Sequence, residues 1–257
     1  MSIANELITL SLQTEFILGS PMEWCHVTSG IVTLIDASHY GGTKGGTYQV
    51  DNFAIAKYLI TNSQYKKFLD HPNGFSNLQW WEFSPKAIQW RKDYPNPKPT
   101  AFEGADLPRT RVSWFDSIAF CNWLSAELTM RIRLPTEQEW QHASIGDTGW
   151  SYPWGNEIDE TRGNFSNRVG KVSVPGSFPN GQSPFGAMDM IGNLWEWCLT
   201  TWGTDSTALN GYTYRIMRGG AWNVSNPEYL RAIDRGEGHS PRGRLNDCGF
   251  RIALQLS

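Results

Sequence analysis

The chain has 257 residues, with 22 Lys+Arg against 25 Asp+Glu and a formal net charge of −3. That balance argues against a nucleic-acid binder working through a basic patch. A hydrophobic content of 40% with 13 Trp excludes a disordered chain, and 25 Gly plus 14 Pro point to a globular protein rich in loops.

The first residues, MSIANELITLSLQTEF, lack a basic start and carry Glu6 early, so they make a poor secretory signal. No apolar run approaches the roughly 20 residues that span a bilayer, so no membrane insertion is expected. Cys25, Cys121, Cys198 and Cys248 lie far apart without CxxC spacing. Reduced thiols and a cytoplasmic location are the expectation. With no repeat and no linker, residues 1–257 read as one domain.

Gly30 to Asp36 (GIVTLID) is a β-branched run that predicts a strand. Gly41 to Thr47 (GGTKGGT) predicts a hairpin turn; Lys44 sits at the wrong place for a phosphate loop. Tyr48 to Ala56 alternates like one half-buried strand. Three helices are announced by their caps: Thr61 with Gln64, Ser113 with Asp116, and Thr136 with Glu139. Tyr94 to Thr100 (YPNPKPT) predicts an extended loop. After residue 145 no helical period persists, and long irregular structure inside a domain is commonly functional.

Five strings then occur in order: RLPTEQEW (133–140), YPWGN (152–156), FGAMDMIGNLWEW (185–197), RGGAW (218–222) and GFR (249–251). Together they resemble the formylglycine-generating-enzyme family, a variant of the C-type lectin fold, over roughly residues 27–255. The resemblance implies an α+β domain with small antiparallel sheets, two main helices and much ordered irregular structure. Trp195 and Trp197 are expected in the core, and Arg251 in an internal ion pair. Gly219 and Gly220 are expected to supply special backbone conformations. Cys121 reads as core, and His142 as a surface or hydrogen-bonded histidine.

The resemblance also implies calcium beside GNLWEW, held by Asp189 and Glu196 carboxylates and the Gly192 and Leu194 carbonyls. A hard cation wanting six to eight oxygens suits that set. The alternative is that both carboxylates only cap local backbone. A second family ion would use Asn164 and the Phe165 carbonyl; the segment after them offers no carboxylate, so that ion is not expected.

The enzymes of this family use two copper-binding cysteines, which fall here on Val224 and Tyr229. Neither supplies a thiolate. A related branch binds iron through HxxxHxE, a spacing absent from His26, His39, His71, His142 and His239. No copper, no iron and no catalytic residue are expected, and the chain reads as a non-enzyme.

The segment 223–248, NVSNPEYLRAIDRGEGHSPRGRLNDC, lies between RGGAW and GFR. It resembles the variable region of proteins diversified by diversity-generating retroelements, a group of lectin-fold ligand binders. Adenine mutagenesis of Asn codons never yields Lys, Gln, Glu, Met or Trp. The segment has no Lys, Gln, Met or Trp; Glu228 and Glu237 would be unmutated positions. Pro227, Arg231, Arg235, Pro241 and Arg244 look like fixed scaffold. The candidate varied, ligand-binding residues are Asn223, Val224, Ser225, Asn226, Tyr229, Ile233, Asp234, Gly236, Gly238, His239, Ser240, Gly243, Leu245, Asn246 and Asp247. They are expected to share one exposed face, with Tyr229 and His239 as anchors. Ile233 is open to a core reading. The implied partner is an unknown protein or other macromolecule, not nucleic acid. The competing readings are a redox enzyme with altered chemistry and a non-catalytic peptide binder that uses the ancestral cleft.

Overall fold

The computed structural model describes residues 2–210, 213–236 and 238–256. Along the chain run α1 (Ile3–Leu18), β1 (Trp24–Val27), β2 (Gly30–Leu34), β3 (Gly46–Val50), β4 (Phe53–Ala56), α2 (Asn62–Asp70), α3 (Pro85–Asp93) and α4 (Trp114–Leu128). There follow β5 (Ile132–Arg133), α5 (Glu137–Ile145), β6 (Trp195–Thr201), β7 (Arg215–Arg218), β8 (Gly238–His239), β9 (Cys248–Gly249) and β10 (Ala253–Gln255). No helix among the described residues is long and apolar enough to cross a membrane.

The three expected caps are all in place. Thr61, Ser113 and Thr136 each accept the backbone N–H three residues on, and Gln64, Asp116 and Glu139 reciprocate, forming capping boxes. Two helices were not expected. α3 starts at Ser84 with Pro85 in its first turn, a position where proline loses no helical hydrogen bond. α1 buries Leu10, Thr14 and Leu18 while Ile8, Leu12 and Phe16 face outward. Apolar residues on both faces blur the helical period by which such a segment is recognised.

One sheet has the order β1-β4-β10-β5, a hairpin pairs β2 with β3, and a second sheet has the order β8-β7-β6-β9. The expected strand 48–56 is two strands in different sheets. β3 pairs with β2 and is half exposed, whereas every residue of β4 is buried between β1 and β10. The break falls at Asn52, whose Oδ1 accepts the Ser29 N–H at 2.7 Å. β6 runs parallel to β9, with Trp195 beside Cys248, so the sheets are not wholly antiparallel.

The core has two main parts. One gathers Tyr65, Phe68, Trp81, Trp114, Phe120, Trp123 and Cys121 around α4. The other packs Val27, Phe53, Ile55, Trp140, Phe165 and Ile216 around α5. Nearly every residue of α5 is buried, including Glu137, Glu139, Gln141 and His142. His142 is therefore not a surface histidine: its Nε2 lies 2.9 Å from the Thr28 carbonyl oxygen.

Candidate functional site

The first turn of α5 organises the site through buried charge. Glu137 has no exposed surface. Its Oε1 accepts Arg218 Nη1 at 2.6 Å and Arg235 Nε at 3.0 Å, and its Oε2 accepts Arg235 Nη2 at 2.7 Å. Arg235 Nη2 also donates to Asp205 Oδ1 at 2.8 Å. Two guanidinium groups thus face two carboxylates, the balance that buried charge requires. Arg235 Nη1 donates to Thr43 Oγ1 at 2.9 Å, binding the loop after β2 to the centre of the 223–248 segment.

That binding leaves a cleft of about 660 Å³ between the two parts of the chain. Five candidate residues line it: Asn226, Tyr229, Asp234, Gly236 and His239. Glu228, Arg231 and Arg235 belong to the same wall. The opposite wall is Ile35, Asp36, Ala37, His39 and Tyr40, with Trp195 and Met217 completing the lining. The sequence reading missed the wall at 35–40. Its signal was an exposed aromatic pair next to a glycine turn: the His39 and Tyr40 rings lie 4.0 Å apart. Trp195, expected in the core, is half-buried in this lining; Trp197 is fully buried, as expected.

None of the fifteen candidate residues is buried, whereas Leu230, Ala232, Arg235 and Pro241 between them are. They do not form one face, however. Asn223, Leu245, Asn246 and Asp247 lie outside the cleft lining. Asn223 Nδ2 donates to Asp247 Oδ2 at 3.3 Å, and Arg111 Nε to Asn246 Oδ1 at 2.7 Å. Ser225 and Ser240 are exposed outside the lining. Val224 and Ile233 pack partly against the second core. Glu237 lies outside the described residues.

The glycines divide by the space around them. A Cβ on Gly238 would sit 2.4 Å from Trp202 Cγ, so this position has no room for a side chain. Gly236 has φ +59, and a Cβ there would meet Trp195 only at 3.7 Å. That backbone suits Gly, Asn or Asp. On Gly243 a Cβ would meet the Ser240 carbonyl oxygen at 3.2 Å.

Val224 packs partly against the second core, and Tyr229 stands 54% exposed in the cleft. The four cysteines are buried elsewhere. Burial pushes the Cys25 thiol up to about 11, and those of Cys121, Cys198 and Cys248 upward as well.

Behind the cleft, Glu196 is fully buried and paired with Arg251. Its Oε2 accepts Arg251 Nε at 2.6 Å and Trp140 Nε1 at 2.9 Å; its Oε1 accepts Arg251 Nη2 at 2.7 Å. Oε2 is saturated and Oε1 keeps a lone pair. Asp189 Oδ2 accepts the Gly176 N–H at 2.6 Å. Burial, with the charge of Glu196 adding to it, pushes the Asp189 carboxyl up to about 6. Asp189, Gly192 and Asn193 have φ of 55, 84 and 62, which winds the chain into a tight turn beside both carboxylates. Among the described residues no group of three or more His, Cys, Asp or Glu is placed to hold a metal; what this turn offers a hard cation is two buried carboxylates, Asp189 and Glu196, the latter already paired with Arg251. Asn164 Oδ1, the oxygen implied for a second ion, is buried without a donor.

The model of the sulfatase-modifying factor enzyme 1-like domain matches residues 26–256. Hercynine oxygenase of Mycobacterium tuberculosis is 31% identical over 238 residues, covering 80% of this chain and 53% of that protein. Inactive C-alpha-formylglycine-generating enzyme 2 of Mus musculus is 31% identical over 191 residues, covering 68% of this chain and 58% of that protein. The chain thus spans little more than half the length of these relatives. Treponema denticola variable protein 1 shares the fold, with a TM-score of 0.69 at 21% identity, covering 93% of this chain and 97% of that one. Similarity extends to oxygenases and to an inactive homologue alike. The fold is the C-type lectin-like one of these proteins, and with the family model matched over nearly its whole length, the chain belongs to the sulfatase-modifying factor enzyme 1-like domain family.

Proposed function

We propose that this chain is a non-catalytic binding protein. Its recognition site is the cleft between residues 35–40 and the 223–248 segment, diversified by a retroelement. The observation that carries this reading is the fate of the two thiolate positions: one is a packed valine, the other a tyrosine standing in the cleft. Around that tyrosine, candidate varied residues alternate with buried scaffold such as Arg235. A fixed frame under exposed side chains lets the surface change without unfolding the protein. Likeness to a protein named as a variable protein, and to one named as inactive, supports this reading. The partner would be a protein or another macromolecule, because exposed candidates outside the cleft extend the surface beyond a small ligand's reach. Calcium, held through Asp189, Glu196, Gly192 and Leu194, would be structural and would brace the turn behind the cleft.

Sequencing the DNA around the gene tests diversification. The expected result is a near-copy of the codons for 223–248, differing only at adenines, beside a reverse-transcriptase gene. A display library varied at Asn226, Tyr229, Asp234 and His239 tests binding. Selected ligands should change with sequence at a constant thermal midpoint; a general loss of stability would sink the idea.

The second reading is a redox enzyme, favoured by the likeness to an oxygenase. Elemental analysis of protein purified without chelators decides it: stoichiometric copper or iron would support the enzyme.

A further inference from the structure

The first helix carries apolar residues on both of its faces. Leu10 and Leu18 belong to the first core, with Leu7 and Ile17 packed beside them. Ile8, Leu12 and Phe16 stand outward, 60%, 63% and 90% exposed. Spaced four residues apart, they form one stripe along the helix. A contiguous exposed apolar row of this kind marks an interaction surface. α1 lies ahead of the matched family domain, which begins at residue 26, and lends no side chain to the recognition cleft.

Beside the stripe runs a groove of about 400 Å³ between α1 and the last strand of the chain. Leu7, Leu10, Met130, Leu254 and Leu256 give it an apolar lining, and Thr9 and Gln13 belong to its helical wall. Phe16 is turned about 40° from Leu12 toward Thr9, and so toward the groove. One patch thus bears both a knob and a hole, as contact between two identical surfaces about a two-fold axis requires. We infer that α1 pairs with α1 of a second copy of this chain, antiparallel and centred on Leu12. Phe16 then lies over Ile8 of the other copy, at the edge of its groove. Glu6 and Glu15, the only charged residues of α1, fall level with Leu18 and Thr9 of the other copy, whereas parallel pairing would set each glutamate beside itself. Without Lys or Arg the helix lacks what draws an amphipathic helix to an anionic lipid surface. α1 is about 24 Å long, so two such faces cover an area near the lower bound of specific interfaces, ~1,200 Å². The dimer is therefore reversible, and it presents two recognition clefts at once. The pairing is independent of what the cleft binds.

Sedimentation equilibrium of the whole chain from about 1 to about 500 μM tests it. A monomer–dimer equilibrium with a midpoint of tens of micromolar is expected. Leu12→Glu and Phe16→Glu should each weaken it at least about ten-fold at an unchanged thermal midpoint, because both side chains are exposed in the monomer. Leu12→Cys should give a disulfide-linked dimer on mild oxidation. Phe16→Cys should not, since its two copies would lie about 12 Å apart along the helices. The native cysteines are buried and do not compete. A monomer throughout the concentration range would overturn the inference, and so would a dimer that Phe16→Glu leaves intact. Cross-linking of Phe16→Cys as readily as Leu12→Cys would overturn the antiparallel register. A monomer that binds phosphatidylcholine vesicles, and loses that binding in Phe16→Glu, would assign the stripe to lipid instead.

Discussion

Arg235 clasps Glu137 with two hydrogen bonds, Nε to Oε1 at 3.0 Å and Nη2 to Oε2 at 2.7 Å, both side chains being out of contact with solvent. The pair joins the middle of the 223–248 segment to the first turn of α5. Through Thr43 it reaches the opposite wall of the cleft. The site's shape therefore depends on a residue that a ligand need not touch.

Arg235→Ala should destabilise the protein by about 3–5 kcal/mol, because Glu137 and Asp205 would be left with only Arg218 between them. Urea unfolding measures this. Asn223→Ala and Ser225→Ala, both at exposed positions, should stay within about 0.5 kcal/mol of the parent.

Gly238→Ala should be poorly tolerated, because its Cβ would overlap Trp202. Gly236→Asn should cost little and Gly236→Val much more, since β-branched residues resist a φ near +59. Thermal midpoints of the three variants check the order; a tolerated Gly238→Ala would show that Trp202 can move.

Asp234 has a carboxyl raised by burial. The folded state holds this proton more tightly than the unfolded state. Its contribution is thus fully present below the unfolded value near 3.8 and is lost as pH rises through the higher folded value. Asp234→Asn should remove that part of the pH dependence and raise stability at pH 7. Paired denaturation curves across pH 3.5–7 test it; a parallel pair would refute the burial argument.

Calcium at about 100 times its dissociation constant should stabilise the fold by about 2.7 kcal/mol, and a chelator should reverse the gain. Asp189→Ala should abolish the response. Calorimetry with calcium and with chelator measures it. An identical midpoint in both, together with no calcium in the purified protein, would leave Asp189 and Glu196 as caps of local structure.

The short-range features were legible in the residues. Capping boxes at Thr61, Ser113 and Thr136 need only three residues of context. The internal ion pair of Arg251 was also expected, though not its partner Glu196, and Cys121 read as core from its place on an apolar helix face. The outer face of α1 defeated the periodicity argument, because Ile8, Leu12 and Phe16 are apolar and exposed. The split of 48–56 into β3 and β4 was hidden as well, since alternation reports exposure along a strand and not which sheet the strand joins.

By itself the sequence determined the family and picked out fifteen residues of 223–248 that all escape burial, although Pro227, Arg231 and Arg244, read as scaffold, escape it too. These are properties of residue identity and local order. Only the tertiary structure decided that residues 35–40 form the second wall, that Trp195 lines the cleft, and that Gly238 has no room to vary. Those facts depend on contacts between segments far apart in the chain, such as Arg235 with Thr43 and Gly238 with Trp202, and no local pattern encodes them.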